Sequence, residues 1–392
     1  MAKEAQQSNS SKFKEVAFLF FRLGLTAWGG PAVSVAMMHD EVVNRRKWID
    51  DQRFLDILSA TNLIPGPNAT EVATQLGLIR AGWKGFFSAG ILFLIPGSVM
   101  ALFLAWAYVK YGSLPEVSAI LYGIKPAVIA VIIQALITLE KRACSNWFLL
   151  TVGVITLALY LLGVEEIILL FGGATVILLW KGGRKLLGRG AASLMCIPSL
   201  FNLSLLRFSS LLNAVASFSN TTLFLTSLKI GSLMFGTGYV FIAFARSEFV
   251  TSLGWINNSQ LIDAITVGQA LPGPLSKSIT FIGYLVGGVP SALIATVGFF
   301  LPSFILVALL SKIVILARKS WWAAAFIDGV NVASLGLMAG TTVIIARTGV
   351  VDIFSALLAL VSLLIIFKYK ISSHWVILGG GVLGIAYKLI VS

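Results

Sequence analysis

Charge is the scarcest property of this chain. Only 11% of its 392 residues are Asp, Glu, Lys or Arg, against roughly 25% in a soluble domain. So few charges could not cover the surface of a water-soluble protein of this size, and a soluble helical fold is set aside. Histidine and cysteine are nearly missing. His39 and His374 are far apart and lack H-E-x-x-H companions, and Cys144 and Cys196 make neither a metal nor a disulfide framework. No metal and no cofactor is expected. G-x-S-x-G is absent as well, so an intramembrane enzyme has no motif to rest on, and none is expected. Residues 1–15 are polar and no small-residue cleavage site follows the first apolar stretch, so no cleaved leader is expected.

What is abundant is apolar: 58% of the residues are hydrophobic. Runs of about membrane-spanning length recur near 86–109, 117–139, 147–164, 166–180, 290–311, 322–345, 350–367 and 374–391. The expectation is a multi-pass protein of the cytoplasmic membrane, with the lipid bilayer as its main partner. The formal charge of +13 does not call for nucleic acid. In membrane proteins Lys and Arg collect in cytoplasmic loops, and a basic field also attracts anionic solutes.

The chain also repeats itself. Ile64-Pro65-Gly66-Pro67 returns as Leu271-Pro272-Gly273-Pro274, an offset of 207 residues. The same offset pairs Gly24 with Gly231, Gly29 with Gly236, Glu41 with Glu248, Trp48 with Trp255 and Asp56 with Asp263. Beyond Gln75 it becomes 206, pairing Gly77 with Gly283, Gly82 with Gly288 and Pro96 with Pro302. Long internal repeats with Pro/Gly breaks at matching places are a mark of secondary transporters.

Charge places the copies in opposite orientations. In the first half the basic segments 80–84, 140–145 and 181–190 fall on one side, and the loops at 111–116 and Glu165-Glu166 on the other. In the second half Lys312, Arg318 and Lys319 match the neutral loop, and Lys368 and Lys370 match the acidic one. If each half crosses an even number of times, inversion needs one more crossing between them. Residues 191–218 are the candidate, with a surface-lying helix as the other reading. The expected organisation is a polar segment 1–15, a first repeat 16–182, a linker 183–218 and a second repeat 219–392.

Each half opens with two broken segments. The first, about 16–38, is interrupted at Gly29-Gly30-Pro31, and its partner, about 221–245, at Gly236-Thr237-Gly238. The second, about 54–79, is interrupted at Pro65-Gly66-Pro67, and its partner, about 261–287, at Pro272-Gly273-Pro274. Proline removes a donor and fixes φ, while glycine permits the turn. Within lipid such breaks survive only where protein buries them or water wets them. The amides of a new helix make an anion site with roughly +0.5 charge behind it. Asn68 and Glu71 have a capping-box spacing after the first Pro-Gly-Pro. The segments are either re-entrant hairpins or interrupted spans. The basic run Arg45, Arg46, Lys47 and Arg53 favours hairpins that return it to the cytoplasm.

Candidate ligands for an anion lie around these breaks. Arg22 and its partner Lys229 are cations in apolar segments, which attract substrate or pair with an acid such as Glu15. Lys277 stands on the first turn after the second Pro-Gly-Pro, where the first half has Thr70. A cation there opposes the helix dipole unless an anion sits beside it. Asn62, Asn68, Gln75, Thr237, Gln269 and Ser276 supply neutral donors. Glu71 is a candidate proton carrier or a simple cap.

At these residues the chain resembles the chromate ion transporter family. The resemblance is carried by Gly29-Gly30-Pro31, by Glu41-Val42-Val43-Asn44-Arg45-Arg46-Lys47-Trp48, and by Asn62-Leu63-Ile64-Pro65-Gly66-Pro67-Asn68-Ala69-Thr70-Glu71 followed by Arg80-Ala81-Gly82. It covers nearly the whole chain as a fused two-domain member. It implies two homologous domains in opposite orientation and export of chromate, a sulfate-like dianion, driven by the membrane potential or an exchanged ion. Members often carry a histidine soon after the Gly-Gly-Pro and another after the Pro-Gly-Pro helix start. Ser34 and Gln75 stand there in this chain, so histidine-based coupling does not carry over.

The expected fold is therefore an all-α polytopic membrane protein of two homologous inverted repeats with Pro/Gly-broken helices. The expected function is secondary active efflux of a tetrahedral oxyanion, most of all chromate. The dianion would be held at helix N-termini where the repeats meet. Its rivals are a sulfate or other anion transporter and a passive anion channel. A homodimer is compatible with the sequence.

Overall fold

The computed structural model describes residues 2–62, 64–143, 146–187, 218–235, 238–310, 321–369 and 371–391. The described residues form helices and no strands. In the first repeat these are α1 (Ala2–Thr26), α2 (Pro31–His39, continued by a π-helical turn Asp40–Arg45), α3 (Asp51–Thr61), α4 (Asn68–Tyr111), α5 (Pro115–Ala143), α6 (Trp147–Leu161) and α7 (Glu166–Leu187). In the second they are α8 (Asn220–Leu233), α9 (Phe241–Ala245, continued by a π-helical turn Arg246–Ser252), α10 (Asn258–Ala270), α11 (Ser278–Leu310, after a 3-10 turn Leu275–Lys277), α12 (Trp321–Gly349), α13 (Ile353–Tyr369) and α14 (Ser373–Val391).

Two of these helices are bent back on themselves. Helical geometry fails at Ala81 and Gly82 in α4 and at Gly287 and Gly288 in α11. Gly82 has φ +62 and Gly288 φ +72, a left-handed conformation that a Cβ disfavours. The two arms of α4 then lie side by side. A Cβ on Gly90 would meet the Thr74 methyl at 2.6 Å, and one on Gly77 would meet Ala89 at the same distance. These residues would be far apart on a straight helix. Gly283 sits likewise against Ala292 and Ala295 in α11.

The broken segments are re-entrant hairpins. The helices α3, α8 and α10 have 11, 14 and 13 residues. They are about 16–21 Å long, short of the roughly 30 Å hydrocarbon core. Glu15, at the start of the apolar part of α1, receives hydrogen bonds from Arg46 and Trp48 beyond α2 and from Arg80 at the end of the first arm of α4. His39 pairs with Asp51 at the start of α3. The open ends of both hairpins therefore lie together, and the breaks are their tips.

Contacts between the halves establish the inversion. The rest of α4 runs away from Arg80, so Tyr108, near its far end, marks the opposite side. There Tyr108 Oη donates to Asp263 at 2.9 Å, and Lys125 near the start of α5 donates to Ser259 at 2.5 Å. Ser259 begins α10, so the hairpins of the second repeat open on that far side. At the near side Lys181 of α7 pairs with Asp328 near the start of α12. Thus α7 ends on one side and α8 begins on the other. The proposed crossing or surface helix at 191–218 lies outside the described residues except for Phe218, as does most of the linker 183–218.

Helices α4, α5, α7, α11, α12 and α14 are long and apolar enough to cross a membrane, and α6 and α13 are shorter apolar helices. Phe87, Ile91, Ile95, Val99 and Phe103 recur every four residues along α4 and are all exposed, which makes a stripe suited to lipid. Beside the hairpins, α5 packs with α13 and α14, and α12 with α6 and α7.

Candidate functional site

The hairpin tips of the two repeats are bonded to each other reciprocally. The Gly66 amide donates to Met234 O at 2.5 Å, and the Gly273 amide donates to Ala27 O at 2.9 Å. Gly66 and Gly273 are repeat partners, and so are Ala27 and Met234. Each Pro-Gly-Pro tip therefore caps the end of the first hairpin helix of the other repeat, α8 in one case and α1 in the other. This satisfies a terminal carbonyl that lipid could not.

The same exchange recurs one turn further on. Ser303 on α11 donates to Glu71 Oε1 at 3.0 Å. Its repeat partner on α4 is Gly97, and a Cβ there would meet the Lys277 Cδ at 2.9 Å. Glycine at 97 thus leaves the space that the aliphatic stem of Lys277 fills. Lys277 is 1% exposed, and its Nζ donates to Gly273 O at 3.3 Å and Pro274 O at 3.0 Å. Two carbonyls of its own break hold the ammonium. Thr70 Oγ1, Glu71 Oε2 and Ser276 Oγ are buried without a hydrogen-bond partner. All three fall on the first turn after a Pro-Gly-Pro.

The cap geometry differs from the capping box expected of Asn68 and Glu71. Pro67 is the N-cap, in extended conformation, so the helix begins at Asn68 and no side chain caps it. Asn68 instead turns sideways, donating to Asn62 and accepting from Thr61 at 3.0 Å. Glu71 turns to Ser303. On the other tip Gly30, at φ +85, is the N-cap of α2 with Pro31 at its first position. The Tyr239 hydroxyl lies 4.0 Å from the Cβ position of Gly30 and faces Gln269, which is 6% exposed.

Other candidates lie elsewhere. Arg22 pairs with Glu41 at 2.5 Å, not with Glu15, and Lys229 pairs with Glu248 at 2.6 Å. These are repeat-matched ion pairs inside the hairpins. Arg22, Thr26, Asp40, Glu41 and Arg45 line a separate groove of about 670 Å³ between α1 and α2. Gln75 reaches Val307 O at 3.5 Å, another link between repeats. Gly238 ends the second Gly-rich break with φ +84, while Gly236 and Thr237 lie outside the described residues. Sequence reasoning did not name Ser303, Gly97, Met234 or Ala27. Ser303 and Gly97 share one repeat position, which was the available signal.

Comparison with known proteins agrees with the duplication. The family model described as chromate transporter matches twice, over residues 14–178 and 221–385. The chromate transport protein of Cupriavidus metallidurans is 31% identical over 387 residues, covering 96% of this chain and 94% of that protein. The chromate transport protein of Pseudomonas aeruginosa is 31% identical over 382 residues, covering 93% and 90%. The probable chromate transport protein of Synechococcus elongatus is 30% identical over 364 residues, covering 91% and 90%. No solved structure matches the chain.

Proposed function

This chain belongs to the chromate transporter family, and on that footing we propose that it is a secondary active transporter that carries chromate out of the cytoplasm. The dianion binds where the Pro-Gly-Pro tips of the two inverted repeats meet, near the middle of the cytoplasmic membrane. Amides and hydroxyls at the new helix starts face it, and the Lys277 ammonium offsets its charge. Rocking of the hairpins of one repeat against the scaffold, then of the other, alternates access to the fixed site.

The observation that carries this reading is the reciprocal bonding of Gly66 to Met234 and Gly273 to Ala27, with the cation of Lys277 buried beside one tip. A kink that served packing alone would not place the unpaired hydroxyls of Thr70 and Ser276 on the first turns after both Pro-Gly-Pro breaks. The test is chromate uptake into everted vesicles from expressing and control cells. Faster, saturable uptake that sulfate inhibits is expected. Equal, sulfate-insensitive uptake in both would overturn the reading, and flux that never accumulates solute would make the protein a channel.

A further inference from the structure

The two sides of the molecule are not equally closed. On the far side α10 packs against α5, α12 and α14. Gly349 of α12 sits with its Cβ position 2.5 Å from Ile129 and 3.6 Å from Ile262 and Lys125. On the near side α3, the repeat partner of α10, packs chiefly on α4, and a cavity of about 280 Å³ remains. It runs from Ala143 and Asp328 at the membrane edge to Asn62, Phe235 and Val240 at the tips. The near side carries the basic segments that mark the cytoplasm.

We propose that this cavity is an oxyanion-binding site through which the substrate reaches the tips from the cytoplasm, with Asn331 and Ser334 of α12 as its specificity-determining residues. The proposal deepens the transport reading and rests on it. Ser334 lines the cavity, is 4% exposed, and its hydroxyl has no hydrogen-bond partner. Asn331 lies one turn before it on the same wall, and Asn62 faces them from the first tip. A carboxamide and a hydroxyl offer neutral donors that a tetrahedral dianion accepts without a fixed counter-charge that would trap it. The one carboxylate on the lining, Asp328, is neutralised by Lys181, which puts an ammonium at the mouth.

The matching position strengthens the assignment. At the offset of 206, Asn331 corresponds to Lys125 on the far side. That lysine is tied to Ser259 and lies 3.5 Å from Asp263. One end of the path thus presents a free amide while the other holds its polar group shut.

The test uses the full-length purified protein and everted vesicles. Wild type, Asn331→Asp, Asn331→Gln, Ser334→Ala and the lipid-facing control Val343→Leu are compared for thermal stabilisation by chromate and by sulfate, and for chromate uptake. A carboxylate at 331 should weaken chromate binding and raise the uptake KM at least tenfold. Glutamine should retain most of the wild-type affinity, Ser334→Ala should lose about threefold, and Val343→Leu should behave as wild type. Chromate stabilisation and KM unchanged in Asn331→Asp would overturn this site while leaving transport intact. A wild type that neither anion stabilises, and that takes up no chromate, would overturn the transport reading as well.

Discussion

The Gly66 amide bonds to the carbonyl of Met234 at 2.5 Å, and the same bond is made again between their repeat partners, Gly273 and Ala27. A glycine at the tip of one re-entrant hairpin thus ends a helix of the other repeat. The Pro-Gly-Pro tips tie the two repeats together reciprocally. Anything that moves one repeat must carry this pair of bonds with it or break them.

Lys277 should matter for function more than for stability. Its ammonium is fully buried and bonded to two carbonyls. Buried charges often contribute little net stability, because desolvation offsets what their partners supply. Lys277→Met is expected to keep the melting temperature within a few degrees and to weaken chromate binding tenfold or more. Thermal melts and equilibrium binding on the same preparation check both parts.

The Ser303–Glu71 bond is predicted to hold the repeats in register. A buried intramolecular hydrogen bond contributes about 0.5–1.5 kcal/mol net. Ser303→Ala should lose about that much and slow chromate uptake, and Ser303→Thr should restore it. Chemical denaturation with uptake rates in parallel reads both. Wild-type stability in Ser303→Ala would remove the bond from the account.

Tyr108, Lys125 and Asp263 link the two repeats on the far side. Removing one partner of a buried pair leaves a stranded charge, at a cost of about 3–5 kcal/mol, while removing both costs less. Lys125→Met and Asp263→Asn should each destabilise the protein more than the double variant does. A double-mutant cycle measures the coupling. In vesicles, each single variant should also make a cysteine placed at Gly349 react with a membrane-impermeant thiol reagent from the far side.

Glu15 gives the hairpin base its acid sensitivity. Burial alone would raise its pKa, but hydrogen bonds from Arg80, Arg46 and Trp48 outweigh this and hold it below the ordinary 4.5. A depressed carboxylate contributes stability above its unfolded pKa and loses it as the pH falls through the folded value. Glu15→Gln should therefore cost about 1 kcal/mol at pH 7, since the cluster is partly solvated. The difference from wild type should vanish below the folded pKa. Melting curves from pH 7 downward follow it.

Much of this architecture was readable from residues. The 207-residue offset revealed the duplication, the basic segments indicated the inversion, and Pro-Gly-Pro located the tips. The cap was misplaced by one residue, because the spacing of Asn68 and Glu71 could not reveal that Pro67 itself would take the N-cap. Arg22 was offered Glu15 as a partner and took Glu41, one repeat-matched pair rather than a local one. The partners across the tips were invisible for a plain reason. Met234 and Ala27 act through backbone carbonyls, which no side-chain pattern announces. Asn331 and Ser334 sit on an apolar helix whose polar residues gain meaning only once the tips are placed beside it.

The most direct measurement is equilibrium binding of radiolabelled chromate to the purified protein, wild type against Lys277→Met, with sulfate as competitor. The account predicts saturable, sulfate-sensitive binding in the wild type, weakened at least tenfold in Lys277→Met at an unchanged melting temperature. Equal binding by the two folded proteins would contradict an anion site at the meeting of the tips.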